Sequence, residues 1–111
     1  MAIEFECIVQ EGFVPSHLRP ELVAGLARVC SSVLGEPSNS VEVRFTEVPK
    51  GSGFRGGEPS TTSLVLGQIP PGCQSQVRTQ LLIDIGDMWC ELTGCATDEV
   101  VVAATDRQDS N

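Results

Sequence analysis

Hydrophobic and polar residues alternate along short segments of the chain, which is the pattern of half-buried β-strands. In the first segment, IEFECIVQ, Ile3, Phe5 and Cys7 share one face and the glutamates share the other. VEVRFTEV, from residue 41 to 48, repeats this alternation, whereas TSLVLGQI and VVVAA are more continuously apolar. The pattern predicts four strands, at residues 3–10, 41–48, 62–69 and 100–104.

Between the strands of each pair, apolar residues recur at steps of three and four, the period of an amphipathic helix. The two stripes are Leu18, Leu22, Leu26, Val29 and Val33, and then Val77, Leu81, Ile85, Met88 and Leu92. A glycine follows each stripe, Gly35 and Gly94, as is typical of a helix C-terminus. We therefore expect one helix that begins at Ser16 or Arg19, and a second from Gln74 or Ser75 to Thr93.

The two halves resemble each other at an offset of 59 residues. This offset pairs Gly35 with Gly94, Val41 with Val100, Val43 with Val102, and Glu47 with Asp106. The order predicts an α/β (α+β) fold of two tandem β-α-β units, in which right-handed parallel crossovers form a four-stranded sheet with two helices on one face.

We expect a single domain at this length. Repeat 1 spans about 2–50, a glycine-rich connection 51–60, repeat 2 about 61–106 and a polar tail 107–111. One helix layer leaves the other sheet face uncovered, so we expect oligomerisation, as a closed ring.

Charge and cysteine usage narrow the class of protein. The net charge is −8, from 15 acidic and 7 basic residues, which argues against nucleic acid and anionic membranes as partners. No apolar run approaches the length of a membrane span. The five cysteines have no zinc-finger spacing, so we expect free thiols in the cytoplasm, no metal and no cofactor.

Two sequence motifs resemble the tautomerase superfamily. TEVPKGSGFRGGE, from Thr46 to Glu58, resembles the strand, loop and glycine hairpin of 4-oxalocrotonate tautomerase. Gly67 to Gly72 resembles the Gly-x-x-x-x-Gly frame of the fused-repeat branch that includes cis-3-chloroacrylic acid dehalogenase. The resemblance implies a tautomerase/MIF-like fold, a homotrimer and a small unsaturated or keto carboxylic acid as ligand.

The family's chemistry uses an N-terminal proline as acid or base and loop arginines that bind the substrate carboxylate. Here Ala2 stands at the proline position, and Cys73 stands at a loop-arginine position. The family's tyrosine is absent, but its terminal acidic residue corresponds to Asp106 and its hairpin phenylalanine to Phe54.

Most candidate site residues follow from this comparison, whereas Arg44 in a strand and Arg55 in the glycine loop are candidates for a relocated anion site. After removal of Met1, the amine of Ala2 is the expected base, with Asp106 as its helper. The expected substrate-binding residues are Arg44, Arg55, Phe54 and Cys73.

Two hypotheses remain open. The chain is a diverged enzyme of the isomerase/tautomerase or hydratase/dehalogenase type, or it is a catalytically inactive trimeric scaffold or interaction protein. The missing proline favours the second. Convergence of Ala2, Arg44 or Arg55, and Asp106 on one apolar pocket in the trimer would favour the first.

Overall fold

The computed structural model describes residues 3–107, and for residues 54 and 55 the backbone alone. The strands are β1 Ile3–Gln10, β2 Val41–Val48, β3 Phe54–Arg55, β4 Glu58–Pro59, β5 Ser63–Ile69 and β6 Val100–Asp106. The helices are α1 Arg19–Leu34 and α2 Ser75–Thr93. Neither helix, nor any other in this part of the chain, is long and apolar enough to cross a bilayer.

The sheet confirms the predicted fold class. Its strand order is β2-β1-β5-β6. β1 pairs with β2 in parallel, β5 pairs with β6 in parallel, and β1 pairs with β5 antiparallel. Each β-α-β unit thus supplies half of the sheet, and the two units meet at its centre. The glycine-rich connection forms the small β3–β4 hairpin that the sequence suggests.

The core lies between the two helices and one face of the sheet, here called the helix face. Its largest fully buried side chains come from both repeats: Ile3, Phe5, Val65 and Ile69 from strands, and Leu22, Leu26, Leu81, Ile85 and Trp89 from helices. Alternate strand residues point to the opposite, open face, where Leu66 and Val101 are 38% and 44% exposed. The alternation seen in the sequence therefore sorts side chains between a packed face and an unpacked one.

A side-chain clamp holds the connection between the repeats onto the end of β1. Gln10, only 3% exposed, donates from Nε2 to the Ser60 carbonyl and accepts the Gly51 N–H at 3.1 Å. Both ends of its amide are thus satisfied, as a buried polar group requires. The chain can therefore cross from β2 to β5 past the end of β1.

Close approach of β1 and β5 depends on a glycine. Phe5 lies directly opposite Gly67 in the antiparallel register. A Cβ atom at residue 67 would lie 2.5 Å from Phe5 Cε1. Because the Phe5 ring is 1% exposed and packed on all sides, it has little room to move aside.

We expect Gly67→Ala to lower the free energy of unfolding by about 1–3 kcal/mol, because the Phe5 ring must shift in a packed core. Urea denaturation measures this change. The matched control is Gly86→Ala on α2, where the new Cβ meets no atom within 4 Å apart from its chain neighbours and the backbone of its own helix. The control should stabilise by about 0.5–1 kcal/mol through helix propensity. A Gly67→Ala protein as stable as the wild type would contradict the packing argument.

Two buried thiols make the free energy of unfolding depend on pH in the alkaline range. Burial raises the pKa of Cys7 and of Cys30 from 9.0 to about 12, with smaller contributions from the Glu6 and Glu36 carboxylates. Above pH 9.0 the unfolded chain releases thiol protons that the folded chain still holds. The folded state therefore loses relative stability as pH rises through this interval.

Cys30→Ala tests this linkage. Each buried thiol should steepen the fall of the unfolding free energy above pH 9.0 by about 1.4 kcal/mol per pH unit. The variant should therefore show a shallower fall than the wild type, on top of a constant offset from its lost packing. Denaturant titrations at a series of alkaline pH values measure both slopes. Parallel curves for the two proteins would exclude the thiol as the cause.

Candidate functional site

A cavity of about 310 Å³ lies on the open face of the sheet. It lies toward what we call the Ile3 end, where β1 and β2 begin and β5 and β6 end; the opposite end is the Gln10 end. Its polar lining comes from all four strands: Glu4, Glu6, Arg44, Gln68 and Thr105. The volume is at the lower end of the range for ligand pockets, about 300–1,000 Å³, so it suits a small molecule.

The charges in this cavity are unbalanced. Glu6 lies directly opposite Arg44 on the neighbouring strand, and Glu4 lines the same cavity. Glu6 accepts a hydrogen bond from the Thr46 hydroxyl at 3.0 Å. Within residues 3–107, Arg44 makes no ion pair shorter than 4 Å. Its guanidinium is therefore available to an anion, but the carboxylates of Glu4 and Glu6 line the same cavity and oppose anion binding.

Within one chain, Arg44 and Asp106 do not converge. Arg44 belongs to the open face of β2, whereas Asp106 belongs to the helix face of β6, since it continues the series of Val102 and Ala104. β1 and β5 lie between their strands, so three strand spacings of about 4.8 Å separate them, roughly 14 Å in all. They cannot act on one small molecule in a single chain.

Asp106 is engaged by an arginine from its own repeat. Arg78, at the start of α2, forms an ion pair with the Asp106 carboxylate and donates to the Ala104 carbonyl at 2.7 Å. Arg19 at the start of α1 forms the equivalent pair with Glu47, at 2.9 Å. Both pairs join a helix start to a strand end, and they are related by the offset of 59 residues. Asp106 therefore already has a structural partner in its own repeat.

Cys73 lies at the Ile3 end but outside the open-face cavity. It belongs to the loop between β5 and α2, and its thiol donates to the Gln74 carbonyl at 3.5 Å. It lines a separate groove with Leu34 and Glu36 at the end of α1. No group of three or more His, Cys, Asp or Glu side chains within residues 3–107 could hold a metal ion.

Three predicted site residues cannot be placed by their side chains. Ala2 lies outside the described residues, although Ile3, the next residue along the chain, begins β1 at the Ile3 end. Phe54 and Arg55 are described by their backbone alone, in β3 of the hairpin. The hairpin follows β2 at the Gln10 end, and an eight-residue strand is roughly 23 Å long. Within one chain, the hairpin and the start of β1 therefore lie at opposite ends of the sheet.

Sequence reasoning did not select Glu4, Gln68 and Thr105 as site residues. They form one row across β1, β5 and β6, because Glu4 pairs with Gln68 and Gln68 pairs with Thr105. Alternation already places each of them on a polar face, but it does not show that these strands are neighbours. For Arg78 a signal exists: the offset of 59 residues relates it to Arg19 just as it relates Asp106 to Glu47.

Comparison with known proteins places the chain among solved structures of one fold. A crystal structure of native Ps01740 shares 30% sequence identity and a TM-score of 0.87, over 94% of this chain and 93% of that one. N1, a member of the cis-3-chloroacrylic acid dehalogenase family, has 18% identity and a TM-score of 0.89, over 94% and 74%. A symmetric trimer of wild-type fused 4-OT has 18% identity and a TM-score of 0.84, over 94% and 85%. No protein-family model and no curated protein matches the chain.

The Arg78–Asp106 pair can be tested by a double-mutant cycle. We expect Arg78→Met and Asp106→Asn to show a coupling energy of about 0.2–1 kcal/mol, because both side chains are partly exposed, at 28% and 44%. Urea denaturation of the wild type, both single variants and the double variant measures it. The equivalent cycle on Arg19 and Glu47 is the matched control. Additive effects of Arg78→Met and Asp106→Asn would show that the ion pair between these side chains does not stabilise the fold.

Proposed function

Because the chain belongs to the tautomerase superfamily, we propose that it acts on a small unsaturated or keto carboxylic acid through acid–base chemistry of its N-terminal amine. The observation that carries the proposal is the cavity of about 310 Å³ at the Ile3 end of the open face. An amine at Ala2, exposed by removal of Met1, is one residue from the start of β1 at this end. The reaction would be of the tautomerase/isomerase or the hydratase/dehalogenase type.

The sequence comparison suggests that the Ala2 amine is a base, but the charges around the cavity favour the amine as a proton donor. Glu4 and Glu6 line the cavity, and nearby carboxylates stabilise the protonated form of an amine. A protonated amine can deliver a proton to the β-carbon of an enol while the enol hydroxyl releases its proton to water, or to the α-carbon of an unsaturated acid while water adds at the β-carbon. The Arg44 guanidinium, which has no ion pair within the described residues, would bind the substrate carboxylate.

We further propose that a second copy of the chain completes the site in a homotrimer. Arg55 and Phe54 lie in the hairpin at the Gln10 end, so only a neighbouring chain could bring them to the Ile3 end of this one. A second guanidinium would offset the carboxylates that oppose anion binding. The open face also exposes Leu66 and Val101, apolar surface that a partner would cover. One fused 4-OT structure with this fold is a symmetric trimer.

The alternative is a trimer without catalytic activity, serving as a scaffold or interaction protein. The Arg78–Asp106 ion pair favours it, because the predicted helper carboxylate is already engaged. The excess of carboxylates in the open-face cavity favours it as well. Location in the cytoplasm stays a prediction from the cysteines in either case.

An assay of phenylenolpyruvate ketonisation tests the proposal. Intact mass first establishes that Met1 is removed, and sedimentation establishes the trimer. Ala2→Leu should retain Met1, because residue 2 is then bulky, and so move the amine by about 3.8 Å and abolish activity. Ala2→Gly should keep both Met1 removal and activity.

Arg44→Ala should lower kcat/KM roughly tenfold to a hundredfold, by loss of a charge-assisted hydrogen bond to the substrate carboxylate.

Arg28→Ala, on the exposed side of α1, is the control for loss of a positive charge and should leave kcat/KM unchanged. A wild-type trimer that lacks Met1 and shows no rate above buffer would reject the enzyme in favour of the scaffold. Equal activity of Ala2→Leu and Ala2→Gly would reject the amine as the proton donor.

A further inference from the structure

Two thiols meet at the C-terminus of α2. The helix ends at Thr93, and Gly94, with φ of +76°, reverses the chain so that its N–H donates to the Cys90 carbonyl at 2.8 Å. The turn brings the Cys95 sulfur to 3.4 Å from the Cys90 sulfur. Both side chains are half-buried, and both thiols are free.

The first repeat contains the same turn without the thiols. α1 ends at Leu34, and the N–H of Gly35, with φ of +72°, donates to the Ser31 carbonyl at 3.1 Å. Ser31 and Glu36 are the residues equivalent to Cys90 and Cys95 at the offset of 59. A helix can therefore end in this way without a thiol pair, so the turn does not account for the cysteines.

Both sulfurs lie beside open space. Cys90 lines a surface groove of about 300 Å³ between α2 and the edge strand β6, together with Ile83 and Asp87. Cys95 lines a smaller cavity of about 50 Å³ together with Glu99. A small molecule in the groove would lie beside Cys90, whose sulfur is 3.4 Å from the Cys95 sulfur.

We propose that Cys90 and Cys95 form a reactive dithiol that reduces low-molecular-weight disulfides and closes to an intramolecular disulfide. The reaction is separate from the amine chemistry proposed above. Uncharged and cationic disulfides are the preferred reagents, because Asp87 lines the groove with Cys90, Glu99 lines the smaller cavity with Cys95, and both repel anionic reagents.

The order of the two steps follows from the state of Cys90. Burial, followed by the hydrogen bond between the two thiols, raises the pKa of Cys90 to about 11. A raised pKa makes Cys90 the poorer attacking group, so we assign the first attack to Cys95, which reacts as a thiolate. It forms a bond to one sulfur of the reagent, the reagent's S–S bond breaks, and the expelled thiolate takes up a proton.

The second step closes the ring. Cys90 loses its proton, and its sulfur attacks the sulfur of Cys95, which expels the second half of the reagent as a thiol. Two electrons have passed from the thiol pair to the reagent, and two molecules of small thiol have formed. The neighbouring sulfur makes this step intramolecular, so the mixed disulfide should not accumulate.

The test treats the folded 111-residue protein with hydroxyethyl disulfide and follows its intact mass. The wild type should lose the mass of two hydrogens, and peptide mapping should link residues 90 and 95. Cys90→Ser should instead keep one mercaptoethanol group on Cys95. Cys95→Ser should react at residue 90 at least tenfold more slowly than the wild type. Cys73→Ser, which removes a half-buried thiol outside the pair, should behave as the wild type.

Three results would overturn the proposal. The first is a wild type that keeps a mercaptoethanol group on Cys95 without closing the ring. The second is a bond that involves any cysteine other than this pair. The third is a folded protein that does not react under conditions in which the chain unfolded in urea does.

The charge preference has its own test. Oxidised glutathione is anionic, so the folded protein should react with it more slowly than with hydroxyethyl disulfide. The ratio of these two rates should be larger for the folded protein than for the unfolded chain. Added salt should narrow the gap, because it screens Asp87 and Glu99. An equal ratio for folded and unfolded protein would overturn the preference for uncharged and cationic disulfides.

Discussion

Antiparallel pairing of β1 with β5 is the interaction on which the rest of the structure depends. Each β-α-β unit supplies only two paired strands, too few to support a helix layer. The pairing joins the units into one sheet, on which both helices pack. It requires that Phe5 lie directly against Gly67 and that Gln10 hold the connecting chain past the end of β1. A single glycine and a single buried amide thus permit the two repeats to share a core.

The shared scaffold leaves each repeat free to differ at equivalent positions. The helix-start arginines pair with strand-end carboxylates in both repeats. Only Arg19 also lies over an aromatic ring, 5.2 Å from the Phe45 centroid, since the equivalent residue is Ala104. At the helix ends the same glycine turn carries serine and glutamate in one repeat and two thiols in the other. The two repeats thus share the ion pairs and the glycine turns that hold each helix in place, but they differ in the partly exposed side chains around them.

The distribution of charge makes one chain an incomplete site for an anionic substrate. Carboxylates outnumber the single arginine in the open-face cavity, and the other candidate cation lies in the hairpin at the far end of the sheet. Neighbouring copies could supply both the missing charge and the cover for the exposed apolar residues of this face. Oligomerisation and the binding of an anionic ligand are therefore coupled in this proposal, because the same neighbouring chain would serve both.

The sequence by itself determined the secondary structure and its repetition. Alternation and helical periodicity are local signals, so the bounds of β2 and α2 and the helix-ending glycines could be read directly. Only the tertiary structure decided the strand order, the Arg78 partner of Asp106, the opposite faces of Arg44 and Asp106, and the meeting of Cys90 and Cys95. The reason is physical: pairing and register between distant segments set which face and which neighbour each side chain has, and local periodicity carries no information about which strands become neighbours.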